Sequence, residues 1–269
     1  MCRLGEGRRD LMLLALKIFL VPALIALVTL GARRWGPRIG GWLSGLPTVA
    51  GPTLCFYAFE QGNAFAARAA HATLVGLIAV PFFCVAYVYT SRRWNWVASL
   101  LAGWLAFCAG VMILQRLDPG LAVAWLLLAA SCALCYVALP AHATIAGAPA
   151  HSAWDLPMRM VAAAGLILAL TSAADRLGPA LTGLFTPFPV AIAIIAAFTH
   201  TQRGVDPVIA FFRGFLPALA SFGLFCVVLA AGLEPLGLTA ALALALALQL
   251  STQSVTLWQT SRRPAARTL

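Results

Sequence analysis

Long apolar stretches dominate this chain, and they restrict it to one kind of architecture. Each stretch has roughly 20 residues, the length at which a helix crosses the ~30 Å hydrocarbon core of a bilayer. Short turns with Arg, Pro and Gly separate them. The nine predicted segments are 11–31, 40–60, 64–90, 95–115, 120–140, 156–174, 179–200, 205–232 and 236–257. The chain is therefore predicted to be an all-α, polytopic membrane bundle.

Composition supports a membrane protein and argues against a nucleic-acid-binding one. Hydrophobic residues make up 62% of the chain and charged residues 10%, whereas about a quarter of a soluble domain is charged. The net charge of +10 comes from Arg residues that lie mostly in the turns between apolar segments. Such residues set membrane topology under the positive-inside rule. We therefore expect no nucleic-acid partner.

The distribution of basic residues also predicts an orientation. Turns on one side of the predicted bundle carry most of the Arg residues, including Arg33, Arg34, Arg92, Arg93 and Arg262. The side with more basic residues faces the cytoplasm. The C-terminus is therefore predicted to lie inside, in a multi-pass protein of the bacterial inner membrane.

Residues that lie 142 positions apart tend to match. The matched pairs include Gly41 and Gly183, Pro47 and Pro189, Gly62 and Gly204, and Phe83 and Phe225. This periodicity predicts two copies of one unit, residues 1–145 with five helices and residues 146–269 with four. A duplicated membrane unit is typical of secondary transporters.

The number of helices in the first unit predicts the relative orientation of the two. Equivalent helices are separated by five crossings, and an odd number places the second unit upside down in the membrane. The fold is therefore predicted to be an inverted-topology repeat (5+4), with a pseudo-twofold axis in the membrane plane. The fifth helix has no counterpart in the second unit.

The second and seventh segments carry prolines at matching depth, together with small and hydroxylated residues. Proline removes a backbone donor and frees carbonyl groups, and interrupted helices in corresponding halves are typical of transport sites. The alternative is an ordinary kink with close helix packing. The predicted substrate-binding residues in these broken helices are Ser44, Pro47, Thr48, Thr186, Pro187 and Pro189.

Four polar residues near predicted helix ends are candidates for coupling or gating. Lys17 corresponds to Arg159 at the 142-residue offset, and Glu60 corresponds to Gln202. The predicted helix directions place Lys17 and Glu60 at one membrane face, where they can pair. Ionisable residues at depth are functional candidates. The alternative is that these side chains reach the interface and fix helix ends.

Motifs for metal or cofactor chemistry are not found in the sequence. His142 and His151 lie in the segment between the two units, and the only carboxylate near them is Asp155. No nucleotide-binding or hydrolase motif is present. We therefore expect no cofactor, no metal and no enzymatic activity.

The second unit resembles a known family. Residues 181–189 (LTGLFTPFP) and 196–204 (AAFTHTQRG) are similar to motifs of the GlpM family of small bacterial inner-membrane proteins, whose members resemble a single repeat. The resemblance covers about 50 residues, and more faintly 41–62. It implies a doubled form of such a protein and a loose association with envelope or exopolysaccharide phenotypes. It implies no catalytic residue.

Three functions remain open at the level of the sequence. Secondary transport of a small solute is favoured, and half-helix N-termini directed at mid-membrane favour an anion. The alternatives are an accessory scaffold for envelope or exopolysaccharide machinery and a membrane-embedded enzyme that acts on a lipid. The expected partners are the lipid bilayer and a small-molecule solute, and a homodimer is left open.

Overall fold

The computed structural model describes residues 19, 21–114, 116–117, 119–140, 154–177 and 188–262. All regular structure in these residues is helical, and the helices occupy the nine predicted segments. The predicted all-α fold with nine helical segments is therefore confirmed for this part of the chain. The helices are α1 (21–35), α2 (Pro37–Ser44), α3 (Ala50–Gln61), α4 (Asn63–Leu77), α5 (Val80–Ser91), α6 (Trp96–Leu114), α7 (Leu121–Ala138), α8 (Asp155–Leu177), α9 (Val190–Arg203) and α10 (Val205–Arg262).

Several of these helices are long and apolar enough to cross a membrane. Within the described residues, four stretches meet this criterion: Asn63–Ser91, Trp96–Leu114, Leu121–Ala138 and Val205–Trp258. The middle two are 28% buried inside the protein, so that most of their apolar surface faces outward. An apolar exterior of this kind requires lipid rather than water around it. The chain is an integral membrane protein.

Helix α10 is a hairpin of two arms rather than one continuous rod. Gly237 has φ 75° and ψ 168°, which no α-helix contains. A Cβ atom on Gly232 would lie 3.3 Å from Cβ of Ala241, although nine residues of straight helix span about 13 Å. The first arm (205–236) and the second arm (238–262) therefore fold back on each other, as the boundary between the eighth and ninth predicted segments requires.

Helix α2 packs on the first arm of α10 with the two backbones in direct contact. Gly41 faces the carbonyl oxygen of Phe211, and Gly214 on the arm faces the carbonyl oxygen of Arg38. There is no room for a Cβ atom at either glycine. Small residues permit this approach in membrane proteins, where dispersion contacts rather than water drive helix association.

The α4–α5 span (63–91) and the first arm of α10 pack side by side and run in opposite directions. Phe83, late in the span, packs edge-to-face on Phe212, early in the arm, with ring centroids 6.3 Å apart. Leu74, in the middle of the span, lies against Gly223, farther along the arm. Moving back along one helix thus means moving forward along the other, which defines an antiparallel pair. The pair forms much of the buried core.

Four described glycines have positive φ, and two of them, Gly62 and Gly204, form turns at equivalent positions. Gly62 joins α3 to α4 with φ 86° and ψ 165°, and Gly204 joins α9 to α10 with φ 80° and ψ −168°. Glycine adopts this region because it lacks a Cβ atom. The two residues are 142 positions apart. The predicted boundary between the units, at residues 145 and 146, lies outside the described residues.

Candidate functional site

The predicted interruption of the second segment is present. Helix α2 ends at Ser44 and α3 begins at Ala50, so Pro47 lies between two helical pieces. Proline has no N–H to donate to the preceding turn, and Ser44 directs its hydroxyl back to the carbonyl oxygen of Gly40, 3.0 Å away. The backbone N–H of Gly45 donates to the carbonyl oxygen of Trp42 (3.2 Å), and the carbonyl groups of Trp42 and Gly45 accept further hydrogen bonds from elsewhere in the fold.

Two buried glutamines on the second arm of α10 donate those hydrogen bonds. Gln249 Nε2 donates to the carbonyl oxygen of Gly45 (2.8 Å), and Gln253 Nε2 donates to the carbonyl oxygen of Trp42 (2.7 Å). The indole Nε1 of Trp42 in turn donates to the carbonyl oxygen of Gln253 (2.9 Å). Both glutamine side chains are fully buried. The break is thus closed by protein groups.

Sequence reasoning did not identify Gln249 and Gln253. The signal was available, because two amides stand four residues apart, on one helix face, inside an apolar run. A polar side chain in such a run needs a partner within the protein, since lipid offers none. Gln249 Oε1 and Thr48 Oγ1 are both buried near the break, and neither forms a hydrogen bond to a described residue.

The remaining predicted substrate-binding residues are distributed as follows. Thr186 and Pro187 lie outside the described residues. Pro189 is buried and immediately precedes α9. Its neighbour Phe188 packs against Trp104 and Phe107 of α6, with ring centroids 5.4 Å and 5.6 Å apart. The structure therefore places the chain before α9 against α6, whereas the break after α2 lies against the second arm of α10.

A second polar site joins three helices at their ends; it is called the ionic cluster below and consists of Arg33, Asp155, Arg159 and Gln202. Arg33 Nη2, near the end of α1, lies 2.6 Å from Asp155 Oδ2. Arg159 Nε lies 2.8 Å from Asp155 Oδ1. The amide of Gln202, near the end of α9, donates to Asp155 Oδ1 and accepts a 3.0 Å hydrogen bond from Arg159 Nη2.

Asp155 is the centre of the ionic cluster. Its side chain is 3% exposed, and that of Arg159 is 5% exposed. Burial raises the pKa of Asp155, but hydrogen bonds from Arg159, Gln202 and Arg33 outweigh burial and hold the pKa below its ordinary value. The carboxylate is therefore ionised at neutral pH. The guanidinium of Arg159 also lies 5.2 Å from the ring centre of Phe198, which adds a cation–π contact.

The structure brings together two of the four predicted gating residues, Arg159 and Gln202. Arg159 is buried and paired about one turn from the start of α8, and both the gating role and its alternative, a contact that fixes helix ends, stay predictions. Lys17 lies outside the described residues. Glu60 is exposed at the end of α3, away from the hydrogen bonds of the ionic cluster. The prediction did not include Arg33 and Asp155, although Asp155 and Arg159 form a recognisable i, i+4 acid–base pair.

The ionic cluster lines an open cleft. Its other lining residues are Thr29, Ala32, Pro37, Ile195, Thr199, Arg203 and Phe211. The free volume of the cleft is about 30 Å³, enough for about two or three water molecules.

The other charged and polar residues near helix ends serve mainly as helix-end contacts. Arg213 donates to the carbonyl oxygen of Leu139 (2.6 Å) and thereby caps the end of α7. His71 Nε2 lies 2.9 Å from the carbonyl oxygen of Pro119. The described residues contain no group of three or more His, Cys, Asp or Glu side chains placed to hold a metal ion.

Comparison with family models, with curated proteins and with solved structures gives no match. The resemblance to the GlpM family therefore stays a prediction.

Proposed function

We propose that the protein is a secondary transporter of a small solute, built from two units of opposite orientation, with the ionic cluster as a gate. The observation that carries the proposal is the network around the buried pair of Asp155 and Arg159. It connects α1 of the first proposed unit to α8 and α9 of the second. Charged residues are costly in a membrane protein and typically mark a pathway or a gate.

Antiparallel packing supports the opposite orientation of the two units. The span 63–91 corresponds to 205–233 at the 142-residue offset, and these two segments run in opposite directions. Repeats related by an axis in the membrane plane bring equivalent helices together in this way, whereas repeats related by an axis along the membrane normal would keep them parallel.

Reciprocal contacts support a twofold relationship between the units. Gly45, next to Leu46, contacts Gln249, and Phe188 contacts Phe107. Phe107 and Gln249 are 142 residues apart, as are Leu46 and Phe188. The two contacts are exchanged to within one residue, because Gly45 rather than Leu46 bonds to Gln249, and a twofold axis produces such an exchange. The interruption after α2 thus contacts the second arm of α10, which corresponds to α6 at the same offset, and the residue before Pro189 contacts α6 itself.

The position of the ionic cluster fits a gate at one end of the bundle. Arg33 is near the C-terminal end of α1, Asp155 is the first residue of α8, and Gln202 is near the C-terminal end of α9. These three ends meet, and their ion pairs hold the two units together there. A solute can pass this end only when the pairs separate, which is the two-state behaviour that alternating access requires.

The proposal is tested by metabolite profiling of cells that overexpress the wild type, Asp155→Asn or Asp206→Asn. Asp206 is a matched control because it is an exposed carboxylate at the start of α10. We expect the wild type and Asp206→Asn to change the cellular level of the same small solute relative to an empty vector. Asp155→Asn, at equal expression, should change that level by a different amount.

Two outcomes count against the proposal. The first is a wild-type profile that equals the empty-vector profile at verified membrane expression, which would favour a scaffold. The second is a solute change that Asp155→Asn leaves untouched, which would remove the ionic cluster from the gate.

A further inference from the structure

We propose that the cleft beside the ionic cluster binds a small oxyanion of the carboxylate or phosphate class, held by Arg33, Arg159 and Arg203. This inference rests on the proposed function and names the chemistry of its solute. It assigns a position for the solute at the end of the bundle, where Pro37 at the start of α2 also lines the cleft.

The cleft carries more positive than negative charge. Three guanidinium groups and one carboxylate line it among the described residues, namely those of Arg33, Arg159, Arg203 and Asp155. Asp155 therefore compensates only part of the positive charge. The side chain of Arg33 is 22% exposed and that of Arg159 is 5% exposed, so the excess of positive charge lies in a partly buried site, where it attracts an anion.

Two buried donors of α1 have no hydrogen-bond partner among the described residues. Thr29 is 4% exposed and lines the cleft, and its Oγ1 forms no hydrogen bond to a described residue. Arg33 Nε is likewise buried and unpaired within the described part of the chain. Buried polar groups in proteins nearly always have partners. Two orphaned donors on α1, one turn apart and beside three arginines, indicate a place for an acceptor.

Asp155 accepts hydrogen bonds from the arginines in the way that a bound oxyanion would. Its Oδ2 accepts from Arg33, and its Oδ1 accepts from Arg159. Guanidinium groups recognise carboxylate and phosphate through such paired N–H donors. A solute oxyanion presents the same oxygen atoms and competes with Asp155 for the same donors. The pairing of Asp155 is then the closed, solute-free state.

The arrangement of the cleft is consistent with this competition. The cleft is open and its volume is about 30 Å³, and the donors that an oxyanion needs are occupied by Asp155. Binding therefore requires Asp155 and Arg33 to separate. Solute binding and opening of the proposed gate are thus one event.

Competition with Asp155 also predicts a dependence on pH. The groups that face Asp155 are Arg33 from α1, Arg159 from α8, and Gln202 and Arg203 from α9; Pro37 of α2 and Phe211 of α10 add no charge. When an oxyanion takes the arginines, Asp155 loses its stabilising partners and binds a proton more readily. Binding therefore takes up a proton, and the apparent affinity rises as the pH falls.

The test uses the full-length protein purified in detergent, with inorganic phosphate, sulfate and acetate as probes and chloride at matched ionic strength as the reference. The readout is the midpoint of thermal unfolding, followed by tryptophan fluorescence, as a function of probe concentration. We expect at least one oxyanion to raise the midpoint saturably beyond chloride. Lowering the pH should tighten that binding in the wild type, while Asp155→Asn should bind more tightly with little dependence on pH.

Variants assign the effect to the cleft. Arg33→Gln should weaken the apparent Kd by roughly tenfold to a hundredfold, because it removes charge-assisted donors. Thr29→Val, which keeps all charges, should weaken the binding less. Arg92→Gln removes one exposed guanidinium after α5 and should leave the apparent Kd unchanged. If Arg33→Gln does not fold, the apparent Kd of Thr29→Val decides by itself whether the oxyanion binds in the cleft.

The inference is overturned by folded wild-type protein that shows no saturable shift with any of the three oxyanions. Equal weakening by Arg33→Gln and Arg92→Gln, or unchanged binding in Thr29→Val, overturns it too. The outcome is separable from the proposed function. A solute change in cells without oxyanion binding leaves transport standing and removes this site. Arginine-dependent binding without any solute change supports the site and contradicts transport.

Discussion

Trp42 and Gln253 hold each other through two reciprocal hydrogen bonds across the fold. The side-chain amide of Gln253 donates to the backbone carbonyl of Trp42 (2.7 Å), and the indole of Trp42 donates to the backbone carbonyl of Gln253 (2.9 Å). Each residue thus uses its side chain on the other's main chain. The pair fixes α2, and with it the interruption before α3, against the second arm of α10.

Loss of this contact should destabilise the protein. In Gln253→Leu the carbonyl of Trp42 loses the side-chain amide that approaches it from α10 and keeps only the backbone N–H of Gly45. We expect the free energy of unfolding to fall by about 0.5–2 kcal/mol, the range for hydrogen bonds between helices in membranes. Thermal unfolding in detergent measures the change.

The matched control is Gln61→Leu, since Gln61 is exposed at the end of α3. It should change the unfolding midpoint much less. Equal midpoints for Gln253→Leu and Gln61→Leu would show that the amide does not support the interruption.

The contact between α2 and the first arm of α10 should not tolerate a single added methyl group. Gly41→Ala places a Cβ atom against the carbonyl group of Phe211, so the two backbones must move apart. Overpacking of this kind costs about 1–3 kcal/mol, and we expect a corresponding loss of thermal stability.

Gly165→Ala is the reference, because a Cβ atom at Gly165 would meet nothing within 4 Å. That substitution should be neutral or slightly stabilising, since alanine favours the helix. A Gly41→Ala protein as stable as Gly165→Ala would mean that the helices are not in backbone contact.

The helical segments were predictable because local sequence determines them. Membrane thickness sets the length of each apolar run, and Pro, Gly and Arg mark their ends. The interruption at Pro47 was predictable for the same reason, since a proline removes its donor wherever it stands.

The partners of these groups were not predictable from local patterns. Gln249 and Gly45 are 204 residues apart in sequence, and Arg33 and Asp155 are 122 apart. Periodicity and spacing report what lies on one helix, and they carry no information on which helix lies opposite. From the sequence, Asp155 was therefore interpreted as a residue of the linker near two histidines, whereas the fold places it at the centre of the ionic cluster.

Glycine should be required at the two equivalent turns. Gly62→Ala and Gly204→Ala force a side chain into a backbone region with φ of 86° and 80°, which costs about 1–3 kcal/mol at each position. We expect both variants to unfold at a lower temperature than the wild type. Gly120→Ala, at a turn with φ −57°, is the control. A stability of Gly62→Ala or Gly204→Ala equal to that of Gly120→Ala would contradict the requirement.

Added acetate should compensate for the stability that is lost when the Asp155 carboxylate is removed. In Asp155→Ala the guanidinium groups of Arg33 and Arg159 lose their counter-ion, and breaking a buried ion pair from one side costs about 3–5 kcal/mol. Acetate can enter the space that the side chain vacates and restore the ion pairs. We therefore expect acetate to raise the unfolding midpoint of Asp155→Ala by more than it raises that of the wild type.

The double variant Arg33→Gln, Asp155→Ala is the control. It should be more stable than Asp155→Ala alone and should lose part of the acetate effect, because one of the two unpaired charges is gone. A single variant whose midpoint does not respond to acetate beyond the wild-type response would show that Asp155 does not act as an anion on these arginines.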